Sequence, residues 1–311
     1  MKKLFSLLVA SIMIMSLFVG CTNTQEQPAP EKPAENEQPA EEAKTIGLAI
    51  STLNNPFFVD LEAGAKAKAE ELGATLVTLD SQDDSATEMS NVEDLINQGV
   101  DLIMINPTDS DAVKSAVEAA NKAGIPVITL DRSANGGEVV SHIASDNVAG
   151  GKLAGEYIVE LLGGKGNVVE LEGVPGASAA RERGEGFNAA IAESDIVVVA
   201  KQTANFDRAE GLTVMENILQ AQPEIDAVFA HNDEMALGAL EAIKASGREI
   251  IVVGFDATDD AKAAVESGEM AATVEQLPKE IGSLGVDTAI KLLKGESVEK
   301  SIPVALQLVK K

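Results

Sequence analysis

Cysteine and aromatic side chains are scarce in this chain of 311 residues, which has one Cys, one Tyr, eight Phe and no Trp. A single Cys cannot form an intrachain disulfide, so the fold must hold without covalent cross-links. Basic residues are also few, with 24 Lys and Arg against 50 Asp and Glu, and the formal net charge is −26. Electrostatic binding to nucleic acid or to an anionic membrane surface is therefore not expected.

The N-terminal segment has the pattern of a secretory signal. The basic start MKK precedes an apolar run that ends at Cys21. A lone Cys after a small residue at this place resembles a bacterial lipobox, here FVGC, with Phe18 where Leu is usual. We expect residues 1–20 to be cleaved and a diacylated Cys21 to tether the protein to the outer face of the cell membrane, since two acyl chains anchor stably. An uncleaved membrane anchor is the alternative.

Residues 21–44 contain Pro and Glu in abundance and no large apolar side chain. Such a segment cannot bury enough apolar surface to offset the entropy lost on ordering. We therefore predict a disordered acidic stalk after the lipidated Cys21, with the folded body beginning near Thr45.

Beyond the stalk, short apolar runs rich in β-branched residues alternate with helical patterns. The helical patterns include Met89, Val92 and Ile96 on one face. This alternation predicts an α/β fold with parallel sheets covered by helices on both faces, and its extent fits two doubly wound domains. The predicted strands are 45–51, 75–79, 101–106, 126–130, 139–144, 167–171, 196–200, 226–230, 250–255 and 270–275.

Polar and aromatic residues follow these predicted strands, at the carboxyl ends where open α/β sheets bind ligands. Three Phe residues and several groups that donate or accept hydrogen bonds in pairs occur there. Aromatic faces stack on sugar C–H groups, and such polar groups bind sugar hydroxyls, so the set fits a neutral polyhydroxylated ring. The residues at these strand ends are Asn54, Asn55, Phe57, Phe58, Asp131, Arg132, Arg181, Arg183, Phe206, His231, Asn232, Asp233, Glu234, Asp256 and Gln276.

Seven motifs carry a resemblance to a known family: STLNNPFF, ITLDRSA, GASAARERGEGF, NFDR, NDEMALGAL, VVGFD and EQLP. Together they resemble the D-ribose-binding proteins of bacterial ABC-type uptake systems, whose periplasmic-binding-protein fold has two hinged lobes. The resemblance covers residues 45–305. It implies that ten of the strand-end residues contact the sugar: Asn55, Phe57, Phe58, Asp131, Arg132, Arg183, Phe206, Asn232, Asp256 and Gln276. The chain departs from the family at His231, where Gln is common, and at Ala257, where Gly is frequent.

The resemblance also implies the domain organisation and the partners. It implies an N-terminal lobe of residues 45–145 plus 277–305 and a C-terminal lobe of residues 146–276 plus 306–311, joined by a hinge of three crossings. It implies an extracytoplasmic, monomeric protein that captures D-ribose and delivers it to the membrane permease of an ABC transporter. No metal, cofactor or nucleic acid is expected, and a receptor for another small sugar or sugar-like signal is the alternative.

Each candidate also has a structural interpretation. The Phe pair could pack in the core, Asp131 and Arg132 could form a surface pair, and the RER stretch could be a solvated helix face. Asn232 and Asp256 could cap helices.

Other functional classes lack their signatures in this sequence. An enzyme would need a nucleophile with an adjacent base, a metal cluster or a phosphate loop, and we identify none of these. A sugar-responsive repressor would need a basic helix-turn-helix where this chain has the acidic stalk.

Overall fold

A computed structural model describes residues 43–311 of the protein. The predicted signal peptide, the lipidation site Cys21 and all but the last two residues of the predicted stalk lie outside the described residues. No helix within residues 43–311 combines the length and the apolar character that a membrane span requires.

The first sheet has six described strands, and every pair of neighbours is parallel. Their spatial order is β11-β5-β4-β3-β1-β2. The strands are β1 (Thr45–Ile50), β2 (Thr75–Asp80), β3 (Leu102–Ile105), β4 (Val127–Leu130), β5 (Ser141–Ser145) and β11 (Ser301–Val304).

The second sheet also has six described strands, in the order β12-β10-β9-β8-β6-β7. Its edge strand β12 runs antiparallel to β10, and the other neighbours are parallel. The strands are β6 (Lys165–Glu172), β7 (Asp195–Thr203), β8 (Ala227–Ala230), β9 (Ile251–Asp256), β10 (Ala272–Glu275) and β12 (Gln307–Lys310).

Nine helices of the described chain cover both faces of each sheet. On the first sheet α1 and α9 pack on one face and α2 and α3 on the other; on the second sheet α4 and α5 pack on one face and α6, α7 and α8 on the other. The helices are α1 (Pro56–Glu71), α2 (Ser85–Gln98), α3 (Lys114–Lys122), α4 (Asn147–Leu162), α5 (Ser178–Ile191), α6 (Arg208–Ala221), α7 (Asp233–Ser246), α8 (Asp259–Ser267) and α9 (Pro278–Leu293).

The burial of the strands explains their apolar sequences. In β3, Leu102 and Met104 pack against α1 and α9, while Ile103 and Ile105 pack in the cluster of α2 and α3. Successive side chains of a strand point to opposite faces, so a strand covered on both faces must be apolar at every position. The fold class predicted above is confirmed, with β12 as a single antiparallel addition.

We call the first sheet with α1, α2, α3 and α9 the first lobe, and the second sheet with α4 to α8 the second lobe. The chain passes between the lobes three times, from β5 to α4, from β10 to α9 and from β11 to β12. The last passage shows that residues 301–304 and 307–310 form strands, which the sequence patterns above do not predict.

Candidate functional site

All ten candidate residues line one cavity between the two lobes, together with Ala179, which the sequence does not predict. The space between these residues amounts to about 240 Å³, part of it open to solvent. The first lobe supplies its residues from the carboxyl ends of β1 and β4, and the second lobe supplies its residues from the corresponding ends of its own sheet. This is the place where doubly wound sheets bind ligands.

The start of α1 provides two aromatic rings. Asn55 is the N-cap of this helix, its side chain accepts a hydrogen bond of 2.9 Å from the Phe57 backbone N–H, and Pro56 occupies the first helical position. The rings of Phe57 and Phe58 meet edge to face, with centres 5.2 Å apart. Both rings are buried in the core cluster of the first lobe and also line the cavity, so packing in the core does not exclude contact with a ligand.

The second lobe provides the third ring, Phe206, from the turn between β7 and α6. A Cβ atom at Gly173 would overlap the Phe206 ring, so this glycine leaves the space in which the ring lies. Asn232 Nδ2 donates to the Phe206 carbonyl at 3.1 Å, and Asn232 Oδ1 accepts from the Met235 N–H at 3.0 Å. Asn232 therefore caps α7 and also binds the backbone carbonyl of Phe206, which restrains the turn that carries the ring.

Asp131 and Arg132 follow β4, and both are buried, with relative exposures of 3%. The interpretation as a surface pair is therefore wrong. Arg132 Nη1 donates to the Pro107 carbonyl at 3.3 Å, and its Nε lies 3.8 Å from Asp131 Oδ2. The guanidinium carbon lies 5.0 Å from the centre of the Phe58 ring and 5.2 Å from that of Phe206, so Arg132 contacts aromatic rings from both lobes.

Arg183 lies on α5 and is also buried, so the interpretation of this stretch as a solvated face is wrong at this position. Its Nε donates to Asn147 Oδ1 at 2.8 Å, and its Nη1 donates to the His231 carbonyl at 2.6 Å. Asp256 Oδ1 lies 3.6 Å from Arg183 Nη1 and accepts from Gln276 Nε2 at 2.8 Å. These bonds leave the guanidinium little freedom to change its orientation.

Burial dominates the electrostatics of the cavity. It raises the pKa of Asp131 and the pKa of Asp256, and the charges of nearby arginines oppose that rise. Burial also lowers the pKa of Arg132, against the opposite effect of Asp131. Among the residues that line the cavity, three buried side-chain atoms lack a hydrogen-bond partner within the described chain: Asp131 Oδ1, Arg132 Nε and Gln276 Oε1. A molecule with several hydroxyl groups could satisfy both the acceptors and the donor.

The backbone at the cavity is locally strained. Asp131 and Phe206 both have φ of 61°, and Asp256 has φ of 117°. Side chains other than Gly rarely adopt this region, and such conformations persist where the surrounding structure imposes them. Asp256 does not cap α8, because Thr258 occupies that position. The strain is concentrated where the chain turns a carboxylate or a ring into the cavity.

Direct hydrogen bonds also join the lobes beside the cavity. The Ser110 N–H donates to the Gly176 carbonyl at 3.0 Å, and the Ser133 N–H donates to Ser178 Oγ at 2.9 Å. The structure therefore shows the two lobes in contact around the cavity, in a closed arrangement.

Comparison with known proteins identifies the family. The model of the periplasmic binding protein domain matches residues 46–297. The chain belongs to this family. Membership confirms the predicted class, a solute-binding protein and not an enzyme, and supports the predicted extracytoplasmic location.

Similar proteins cover nearly the whole folded body. The ribose import binding protein of Haemophilus influenzae is 58% identical over 265 residues, covering 85% of this chain and 91% of that protein. The ribose import binding protein of Bacillus subtilis is 52% identical over 300 residues, covering 96% and 97%. A solute-binding protein of Bacillus halodurans with bound myo-inositol is 36% identical, with a TM-score of 0.83 over 88% of this chain and 96% of that one.

Sequence reasoning missed the hydrogen bonds by which residues outside the cavity lining support it. Asn106 donates to the Leu130 carbonyl at 3.1 Å, Asn147 accepts from Arg183, and His231 supplies a backbone carbonyl. Asn106 ends a predicted strand, so its position at a carboxyl end was a usable signal. The positions of Asn147 and His231 relative to Arg183 depend on helix packing, which local pattern does not reveal.

Proposed function

We propose that this protein captures D-ribose in the cavity between its lobes and delivers it to the membrane permease of an ABC transporter. The observation that carries this proposal is the composition of the cavity wall. Three aromatic rings from two lobes surround buried acceptors and donors whose hydrogen-bonding capacity is partly unused. Relatives that are 52% and 58% identical and are named ribose import binding proteins support the choice of sugar and the transport role.

The cavity chemistry suits a neutral sugar. The rings would cover the apolar C–H faces of the sugar, and the carboxylates of Asp131 and Asp256 would accept hydrogen bonds from its hydroxyls. Arg132 and Arg183 would donate to hydroxyl and ring oxygens. If each hydroxyl is bonded by a buried group, a sugar that lacks one would leave that group unpaired, and this asymmetry would favour one ligand over its analogues.

Binding would be coupled to closure of the lobes. We propose that residues 45–145 with 277–305 move as one body against residues 146–276 with 306–311, and that the three passages between the lobes act as the hinge. A ligand bonded to both lobes stabilises the closed arrangement in proportion to its differential affinity for it. The closed protein would then present one composite surface to the permease.

We further propose that the protein acts as a monomer anchored through a diacylated Cys21 after removal of residues 1–20. The support is the sequence pattern of the N-terminal segment, which lies outside the described residues. The stalk of residues 21–44 would then act as a spacer that holds the sugar-binding body away from the membrane surface.

Calorimetric titration with a panel of pentoses, hexoses and cyclitols tests this function. We expect D-ribose to bind and glucose and galactose to show no heat of binding, because Phe57, Phe58 and Phe206 closed tightly on a pentose would leave no room for an extra hydroxymethyl group. If myo-inositol bound more tightly than ribose, the alternative of a receptor for another small polyol would replace the proposal. Absence of binding to every sugar in the panel would remove the sugar-binding function altogether.

A further inference from the structure

A buried, hydrogen-bonded pair of ionisable residues lies outside the cavity lining in the second lobe. Glu170, on β6, and His231, directly after β8, have fully buried side chains, and His231 Nε2 lies 3.1 Å from Glu170 Oε1. Asn188, on α5, donates to both Glu170 oxygens at 3.1 and 3.3 Å. The pair therefore links two neighbouring strands to the helix that carries Arg183.

The packing of α5 makes room for this pair. A Cβ atom at Gly184 would lie 3.1 Å from Glu170 Oε1 and 3.3 Å from His231 Cε1, so the helix approaches both groups closely. Gly184 follows Arg183 directly, and the Gly184 carbonyl accepts from Asn188 Nδ2 at 2.7 Å. One turn of α5 therefore contacts the pair on its inner side and presents the guanidinium to the cavity.

The same pair fixes an acceptor for Arg183. The His231 carbonyl accepts from Arg183 Nη1 at 2.6 Å, and the ring of His231 holds that residue in place through Glu170. If the ring were free to move, the carbonyl and the turn before Asn232 would be less restrained. The guanidinium carbon of Arg183 also lies 3.9 Å from the centre of the Phe255 ring, and this contact further restricts the orientation of the guanidinium.

Charges around His231 favour its neutral form. Burial lowers the pKa of His231, and the Arg183 charge acts in the same direction, while Glu170 and Glu172 oppose them. Lys201 on β7 lies 3.4 Å from Glu170 Oε2 and balances that carboxylate. His231 Nδ1 has no hydrogen-bond partner among the described residues, so the ring proton is best placed on Nε2, where it is donated to Glu170.

We propose that His231 is a positioning residue for sugar binding: its ring, donating to Glu170, fixes the backbone carbonyl and the helix α5 that together orient the guanidinium of Arg183. This inference rests on the proposed function, since it assigns Arg183 to the sugar. His231 itself does not line the cavity and would not touch the ligand.

Two substitutions at His231 test the donor. His231→Leu removes the donor and leaves the buried carboxylate of Glu170 with fewer bonds, so we expect the ribose dissociation constant to rise about tenfold. His231→Gln can keep a side-chain N–H for Glu170 and should restore affinity to within about twofold of the original protein. The measurement is calorimetric titration of the full folded protein, with the melting temperature recorded for each variant.

A double-mutant cycle with Arg183→Lys separates positioning from general destabilisation. If His231 acts through Arg183, His231→Leu should change affinity by less than about twofold in the Arg183→Lys background. Arg248→Leu is the matched control, because Arg248 donates to the Leu219 and Gln222 carbonyls in the same lobe without lining the cavity. It should lower the melting temperature and leave ribose affinity unchanged.

The outcomes distinguish this inference from the proposed function. If the original protein binds no ribose, the function fails and the inference fails with it. If the original protein binds ribose and His231→Leu binds it equally well, or Gln fails to rescue, the positioning role is overturned while the function stands. Equal losses in both Arg183 backgrounds overturn it too. Should His231→Leu not fold, Glu170→Gln, which keeps the shape and removes the charge, replaces it in the same cycle.

Discussion

The two lobes repeat one topology but build their halves of the cavity differently. Strands β1 to β5 and β11 occupy the same spatial order as β6 to β10 and β12. Asp131 follows the fourth strand of the first lobe and Asp256 ends the fourth strand of the second; both have positive φ, and burial raises the pKa of each. The repeated fold thus delivers a buried carboxylate to each wall from equivalent positions.

The aromatic rings come from positions that are not equivalent. The turn after the second strand has two consecutive residues with positive φ in each lobe, Gln82 and Asp83 in the first and Asn205 and Phe206 in the second. Only the second lobe uses this turn for a ring; the first lobe takes both of its rings from the start of α1. The two turns therefore have similar backbone conformations, but only the second places an aromatic side chain at the cavity. The cavity is asymmetric although the fold around it is repeated.

The largest expected effect concerns the equivalent carboxylates. Asp131→Ala should weaken ribose binding by more than about 2 kcal/mol, because it removes a charged acceptor and leaves Arg132 with only a 3.3 Å bond to the Pro107 carbonyl. Asp256→Ala should cost less, because Arg183 keeps acceptors on Asn147 and His231. Calorimetric titration of both variants with ribose measures the two losses of binding free energy. A greater loss at Asp256 would mean that the second lobe supplies the dominant carboxylate.

The next effect concerns a buried carboxyl group that each lobe holds outside the cavity. Burial raises the pKa of Glu88 in the first lobe to about 7, and it raises that of Asp233 in the second to about 7. Since the folded state binds these protons more tightly than the unfolded state, stability should fall as pH rises from about 5 to 8, by about 2 kcal/mol for each group. Urea unfolding at several pH values measures this fall.

Substitution separates the contributions of the two groups. Glu88→Gln removes one ionisable group and keeps an acceptor for the Thr108 N–H, which now bonds Glu88 Oε1 at 2.8 Å. The variant should therefore lose the part of the pH dependence that Glu88 contributes, and the remainder belongs to Asp233 together with the cavity carboxyl groups Asp131 and Asp256, whose pKa values burial also raises. An unchanged slope in Glu88→Gln would show that Glu88 contributes nothing to it.

The smallest effect concerns the residue after each cavity carboxylate. Ala257 follows Asp256 with φ of 57°, whereas Arg132, which follows Asp131, has no positive φ. Ala257→Gly should relieve the left-handed strain and stabilise the protein by about 1 kcal/mol. Ala134→Gly, at a position without positive φ in the first lobe, is the control and should be neutral or destabilising. Thermal unfolding measures both, and equal effects would remove the strain argument.

Much of the site was predictable because it depends on local order along the chain. Strand ends are marked by apolar runs, and polar or aromatic residues that follow them, such as Phe57, Asp131 and Asn232, lie at the carboxyl edges of their two sheets. The resemblance to ribose-binding proteins then selected ten residues from this wider set. The ten predicted residues do meet at one cavity. Their roles in ribose binding stay predictions.

The missed features depend on packing between distant segments. The strand Ser301–Val304 contains Pro303, and Gln307–Lys310 is short, so neither shows a strong strand pattern, and both are defined by the neighbours that they pair with. The contact of Glu170 with His231 joins residues 61 positions apart. Helix packing decides which buried polar residues meet, and no spacing rule along the sequence encodes it.

The position of α9 has a consequence for the order in which the chain folds. This helix belongs to the first lobe but is synthesised after every strand of the second except β12, and it packs tightly on α1, where a Cβ atom at Gly282 would overlap the Leu61 carbonyl. Until residues 278–293 leave the ribosome, the face of α1 that carries Leu61 and Ala65 has no cover. The first lobe therefore cannot be complete before α9 and β11 are made, and the second lobe cannot be complete before β12 is made. A nascent chain that lacks this C-terminal part leaves the apolar face of α1 without its partner helix, and such exposed apolar surface favours aggregation.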